Sequence, residues 1–223
     1  MSMAPAILLA ALTTSIPASD PQVAVPVDKE PLHKLVLQND YVTVLHVTIL
    51  PGQSTLLHTH SHDGVAVRLS EATIRLDVPG EASTGPVRTH VGETSAQPYA
   101  AKPMTHTVNN VGTTPFEVID IELLRRPDGP PTAPIATAAA ENPSARAYKW
   151  ALAPGASSPQ HTHERPYLII AATPMQLSMR SPDGASMDHP IKAGDFHWID
   201  SKVTHVLTNS GTEAGVIVEV ELK

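Results

Sequence analysis

Apolar and polar positions alternate with a period of two over several short stretches, which is the pattern of half-buried strands. Residues 41–50 read YVTVLHVTIL, rich in Val, Thr and Ile. Residues 64–78 form two apolar segments with a break near Ser70, and residues 115–123 and 215–222 alternate again. No stretch holds a helical period for long. The 22 prolines interrupt helices and central strands alike. Short strands separated by turns every ~8–12 residues predict an all-β sandwich or barrel.

The chain repeats itself. Residues 51–60 read PGQSTLLHTH and residues 154–163 read PGASSPQHTH, an offset of 103. Residues 109–123 and 208–222 match at an offset of 99, with Asn110/Asn209, Gly112/Gly211, Thr113/Thr212, Glu122/Glu221 and Leu123/Leu222 coinciding. Two blocks in the same order at nearly equal offset indicate a duplicated β-domain. The second copy has lost four residues between the blocks. Residues 127–142, rich in Pro and Ala, read as a linker between copies at 28–126 and 143–223. The second copy is short for a complete barrel, so some N-terminal strands are expected to be shared.

Composition narrows the chemistry. Hydrophobic residues make up 41% of the chain and aromatics only 4%, so the core is aliphatic. The net charge of −7, with no basic stripe, argues against a nucleic-acid partner. No apolar run reaches the ~18–20 residues of a membrane span. With no cysteines, disulfides and thiolate sites are excluded, and the 12 histidines and the carboxylates must carry any transition-metal chemistry. Residues 1–20 contain a short apolar run, AILLAAL, followed by small residues, which reads as a secretory leader without a basic n-region. Export to the periplasm or beyond is the expectation; if the leader is no signal, the chain stays in the cytoplasm.

Each copy carries a His-x-His pair six residues after a glycine: His58 and His60 after Gly52, His161 and His163 after Gly155. Residues i and i+2 of a strand share a face ~6–7 Å apart, so two imidazoles can converge on one ion. A third histidine stands at a matched place in each copy, His106 and His205, each followed four residues later by an Asn. The expected ligand sets are therefore His58, His60 and His106, and His161, His163 and His205. The ion is a divalent transition metal: Fe, Cu, Mn, Ni or Zn. His62 extends the same-face run towards a pocket mouth. Tyr167 is a candidate hydrogen-bond donor or general acid. His46 reads as a satisfied barrel histidine, and Trp198 as core. His33, His90 and His189 have no evident partners.

At these residues the sequence resembles the cupin superfamily, whose motifs are G-x5-H-x-H-x3–4-E-x6-G and G-x5-P-x-G-x2-H-x3-N. The second copy fits the second motif with Gly194, His205 and Asn209 in register, Asp200 at the Pro place and Lys202 at the second Gly place. The first copy keeps His106 and Asn110, with Ser95, Ala101 and Pro103 at the earlier places. The resemblance covers everything after the leader and implies two tandem jelly-roll barrels. Both copies depart from it at the motif glutamate, where Gly64 and Tyr167 stand, and Asp63 and Glu164 are out of register. Each copy is thus similar to the three-histidine dioxygenase cupins that act on β-diketones, thiols and gentisate, more than to the oxalate oxidases and decarboxylases. The resemblance implies a metal-dependent, oxygenase-like enzyme for a small polar or enolic molecule. Two alternatives stay open: a bicupin that binds a metal or small ligand such as a sugar without turnover, and an exported copper-dependent carbohydrate oxidase. Cupin barrels also pair through exposed strands, so a homodimer is possible, although tandem copies can make that pairing within one chain.

Overall fold

The computed structural model describes residues 23–130, 132–200 and 202–223; the leader expected at 1–20 lies outside them. Among the described residues there is no α-helix, only a single 3-10 turn, Val27–Lys29, and no helix long and apolar enough to cross a membrane. The strands fall where the alternation placed them: Val42–Ile49, Asp63–Arg68, Ala72–Asp77, Phe116–Leu123 and Gly215–Leu222.

Four sheets result. The first two run in the orders Val25–Pro26, His58–His60, Met104–Asn110, Ala72–Asp77, Val87–Thr89, and His33–Gln38, Val42–Ile49, Phe116–Leu123, Asp63–Arg68, Thr94–Gln97. The other two run Ala140–Glu141, Ala145–Leu152, Gly215–Leu222, Tyr167–Ala171, Phe196–Ile199, and His161–His163, Val203–Asn209, Met175–Arg180, Ser186–Ile191. Each pair of sheets forms a jelly-roll barrel.

The central sheets of the two barrels pack face to face. Val42, Val44, Val65, Val67, Ile119 and Ile121 from one meet Ala145, Ala147, Leu168, Ile170, Val218 and Val220 from the other in a single buried cluster. The rings of Tyr41 and Trp198 stack across this junction at 5.9 Å. These strands are therefore buried on both faces, and their interior face is free to carry polar residues. In Gly215–Leu222, Val218, Val220 and Leu222 face the junction, while Glu219 and Glu221, both essentially unexposed, point into the barrel. The pairing of copies within one chain thus occurs as the sequence suggested.

The matched asparagines hold the turn that leaves the third-histidine strand. Asn110 Nδ2 donates to the carbonyls of Ile49 and Thr114, and its Oδ1 accepts the Gly112 N–H. Asn209 repeats this with Leu152, Glu213 and Gly211. Both are buried, so truncation strands several backbone groups. Asn209→Ala is expected to cost about 2–4 kcal/mol of unfolding free energy in urea titrations; a loss below about 1 kcal/mol would mean water replaces the side chain.

The structure corrects one register in the first copy. The turn equivalent to Gly194 (φ +83°) is at Gly92 (φ +72°), not Ser95. Gly92 N–H donates to the Arg68 carbonyl as Gly194 N–H does to Ala171, both at 2.8 Å. From that glycine to the third histidine the first copy is three residues longer, and the turn at residues 99–102 falls within the longer segment.

Candidate metal centres

The short strands His58–His60 and His161–His163 lie antiparallel to the strands bearing the third histidine, with His58 opposite His106 and His161 opposite His205. Period-two geometry then turns all three rings of each set inward. The structure brings His58, His60 and His106 together, and His161, His163 and His205 together, with candidate ligand atoms within 4.8 Å of one another. All six are buried.

The ring orientations are fixed by what each Nδ1 meets. His58 Nδ1–H donates to the Leu56 carbonyl at 2.9 Å, and His161 Nδ1–H to the Pro159 carbonyl at 2.8 Å. A carbonyl only accepts, so each Nε2 is left as the basic nitrogen facing the cluster. His60 Nδ1 bonds the Glu122 carboxylate at 2.7 Å, the histidine–carboxylate arrangement that orients metal-binding imidazoles. His58 Nε2 and His106 Nδ1 are buried without a hydrogen-bond partner, and neither ring nitrogen of His163 makes a hydrogen bond of good geometry, although carboxylate oxygens lie 3.3 and 3.6 Å away. Orphaned buried nitrogens in convergent sets fit a bound divalent ion.

The second cluster is not a three-histidine set. Glu219 enters it from the neighbouring strand, with Oε2 3.0 Å from His161 Nε2, and Oε1 3.0 Å from His205 Nε2 and 3.3 Å from His163 Nε2. The anionic donor missing from the motif place at Tyr167 is thus supplied from a different strand. In the first cluster the equivalent residue is Asp120, one methylene shorter, and it reaches no closer than 3.8 Å to His60 Nδ1.

The two clusters differ electrostatically. Burial, with the neighbouring histidines adding, pushes His106 down to about 3; burial also brings His58 to about 4. Both are neutral at pH 7 and offer a lone pair without losing a proton. Burial also opposes the charged form of His163, but Glu219 and Glu221 outweigh it and hold the imidazole up at about 9. Burial likewise opposes the Glu219 carboxylate, yet its three histidine partners hold it well below its ordinary 4.5. A raised imidazole stabilises the fold fully below its unfolded value of 6.5 and loses that contribution as pH rises through about 9. A depressed carboxylate contributes above 4.5 and loses that contribution as pH falls. Chelated protein is therefore expected to melt highest between about pH 4.5 and 6.5 and progressively lower towards pH 9–10, with the alkaline fall reduced in Glu219→Gln and lost when Glu221 is also replaced by Gln. A melting temperature flat across pH 6.5–10 would show that the pair does not form.

No protein-family profile matches the chain. It is 29% identical over 98 residues to the β-alanine degradation protein BauB of Pseudomonas aeruginosa, covering 44% of this chain and 97% of that one. That match has the length of one barrel. Among solved structures, AerE of Microcystis aeruginosa aligns with a TM-score of 0.55 at 15% identity, over 87% of this chain and 98% of its own. A tryptophan-to-tyrosine variant of the oxalate decarboxylase of Bacillus subtilis aligns with a TM-score of 0.52 at 12% identity, over 82% and 69%. The protein has the bicupin fold. At these identities the likeness speaks for the fold alone.

Within the bicupin, the internal repeat acts as its own control. At the offset of the His-x-His pairs, Val47, Gly64, Ala66 and Arg68 correspond to Trp150, Tyr167, Ile169 and Ala171. In the second barrel Trp150 stacks on His161 at 5.2 Å and donates its Nε1–H to Glu219 at 2.6 Å. Tyr167 stacks on His163 at 3.8 Å, and its hydroxyl lies 3.4 Å from His205 Nδ1. These side chains wall the cluster in. In the first barrel the smaller Val47, Gly64 and Ala66 leave a cavity of about 200 Å³, lined by His60, His106, Arg68, Tyr99, Asp120 and His33 among others.

The other histidines separate clearly. His33 bonds buried Glu30 at 2.6 Å, and its ring lies 4.7 Å from that of His58. His62 is half exposed and faces Glu122 at 3.5 Å beside a second, outer cleft. His46 is not satisfied as expected: its buried Nε2 has no hydrogen bond, and Glu117 is 3.9 Å away. His90 pairs with Glu71 at the surface. Asp63 accepts hydrogen bonds from Ser144 and Ala100, and Glu164 pairs with Lys202. Sequence reasoning missed Glu219, Asp120, Glu122, Arg68 and Tyr99. The matched acids at the 99-residue offset were the available signal.

Proposed function

We propose that this bicupin is a metal-dependent enzyme of the oxygenase type, acting on a small polar or enolic molecule, and that the first barrel carries the reaction. The observation that supports this is the open cavity against His60 and His106, in contrast to the walled-in second cluster. At about 200 Å³ it lies below the ~300–1,000 Å³ of drug-sized sites, so the substrate is small. His58, His60 and His106 would hold the ion, and a divalent metal there supplies Lewis-acid activation of an enolic oxygen. Three donors leave one more position open than the four-donor set of the second barrel.

The chain's own residues supply the rest. Asp120 lines the cavity and is placed to accept a proton from a bound molecule. Burial, reinforced by the charges of Asp120 and Glu122, pushes the Tyr99 phenol up to about 12, so it stays protonated and donates a hydrogen bond. Its ring lies 5.1 Å from that of His60. The test combines elemental analysis with O₂ uptake on a panel of enols, β-diketones and catechol-like compounds. Turnover is expected to fall at least 100-fold in His58→Ala/His106→Ala and to persist in His161→Ala/His205→Ala wherever that variant stays folded. Turnover that survives the first pair and dies with the second would move the reaction to the other barrel; absence of metal under every loading condition would overturn the reading.

A further inference from the structure

We propose that Arg68 is the anchor for a carboxylate group on the small molecule that enters the first barrel. This deepens the reading above and rests on it for the identity of the site. Arg68 ends the strand Asp63–Arg68 and lines the cavity together with His60, His106 and Asp120. The hydrogen bonds of its guanidinium are both made by Nη1, to the Ala66 carbonyl at 3.3 Å and to Ser95 Oγ at 3.0 Å. Its Nε is buried with no partner, and among the described residues no carboxylate comes within ion-pair distance. The Nε–Nη2 edge is the fork that takes both oxygens of a carboxylate.

Arg68 is half-buried, with its Nε out of water and no carboxylate paired to it, and a guanidinium so placed costs the fold free energy unless something pairs with it. The second barrel shows that the scaffold does not need it, because Ala171 stands at the same place, with the same glycine turn bonded to its carbonyl. The first barrel thus carries a half-buried cation beside a cavity that reaches His60 and His106, whereas the cavity of about 230 Å³ in the second barrel, lined by Ile169, Leu177 and Met179, reaches none of its three histidines. Ser95 holds Nη1 in place, and Tyr99 and Asp120 flank the path to the histidines. A molecule bearing a carboxylate at one end and a donor oxygen at the other would bridge Arg68 and the histidine cluster. Asp120 disfavours a second negative charge beside His60, which points to monocarboxylates over dicarboxylates.

The test uses full-length, metal-loaded protein, with acetate and glycolate as probes, malonate as the dianion, acetamide as the neutral isostere and inorganic phosphate as the competing oxyanion. Binding is followed by calorimetry and by melting temperature. Acetate and glycolate are expected to bind and acetamide not. Arg68→Met is expected to lose at least tenfold in affinity with metal content unchanged, and Arg68→Lys to fall in between, keeping charge but not the fork. Without ligand, Arg68→Met is expected to melt no lower than wild type, a result a purely structural arginine would not give. Undiminished carboxylate binding in Arg68→Met, or phosphate binding tighter than any carboxylate, overturns the proposal. The same titrations on metal-free protein separate the two readings: carboxylate binding without any metal uptake keeps this one and sinks the metalloenzyme.

Discussion

Tyr167→Ala is expected to cost about 3–5 kcal/mol of unfolding free energy, whereas Gly64→Ala at the equivalent place is expected to cost nothing or to stabilise slightly. The two positions sit on matched strands of matched barrels, yet they do opposite work. Tyr167 is fully buried and stacks on His163, so its loss removes a ring and leaves a void beside three buried imidazoles. Collapse into that void is hindered because the histidines are held by Glu219 and the Pro159 carbonyl. Gly64 faces the open cavity instead. A Cβ there would meet Tyr99 Cδ2 at 3.5 Å, an ordinary contact, and the glycine's backbone is not in the left-handed region. Urea unfolding of both variants, metal-free, checks the pair. A Tyr167→Ala loss below about 1 kcal/mol would mean the second cluster is loosely packed and would remove the distinction between the barrels. Gly64→Tyr gives the complementary result: it fills the cavity and is expected to abolish carboxylate binding while leaving the His58, His60 and His106 set intact.

The fold and both histidine triads were readable because each rests on a short-range rule. Period-two alternation located the strands, and the i, i+2 spacing turned the His-x-His pairs to one face. The internal repeat added the third histidine without any long-range knowledge. What escaped was long-range or was hidden by the same alternation. Glu219 and Glu221 stand among valines and, on the usual rule, belong on the water side. They point inward because the valines on the other face are covered by the neighbouring barrel, a fact of tertiary packing. Arg68 was unreadable for the same reason, since its strand is covered on its apolar face and presents a cation inward. Tyr99 lies in the longer segment between Gly92 and His106, where the two copies do not align, so the repeat carried no signal. The three-histidine reading of the second copy failed because a motif names a place along the chain. The barrel needs only a carboxylate in the right volume, and an adjacent strand can provide it.

Chelation is expected to strip the two centres at rates at least tenfold apart, the first barrel losing its ion first. In the first barrel the donors are three imidazoles beside a cavity, so water and a chelating carboxylate can take open positions one at a time. In the second, four donors converge, all of them buried, and Trp150 and Tyr167 cover two of the rings. Release there requires the walls to open before any ligand exchanges. Trp150 also bonds Glu219, and loss of such a supporting hydrogen bond typically weakens metal binding by about 10–100-fold. Elemental analysis of protein withdrawn at intervals from excess EDTA at pH 7 follows the loss. Two phases of about one ion each are expected. His58→Ala/His60→Ala removes the fast phase, and Glu219→Ala turns the slow phase fast. Trp150→Phe keeps the ring but not the donor, and places the slow phase in between. Loss of both ions in one phase, or a fast phase that survives His58→Ala/His60→Ala, would show that the carboxylate and the aromatic walls do not separate the two centres. The open cavity of the first barrel would then be no guide to where the chemistry is done.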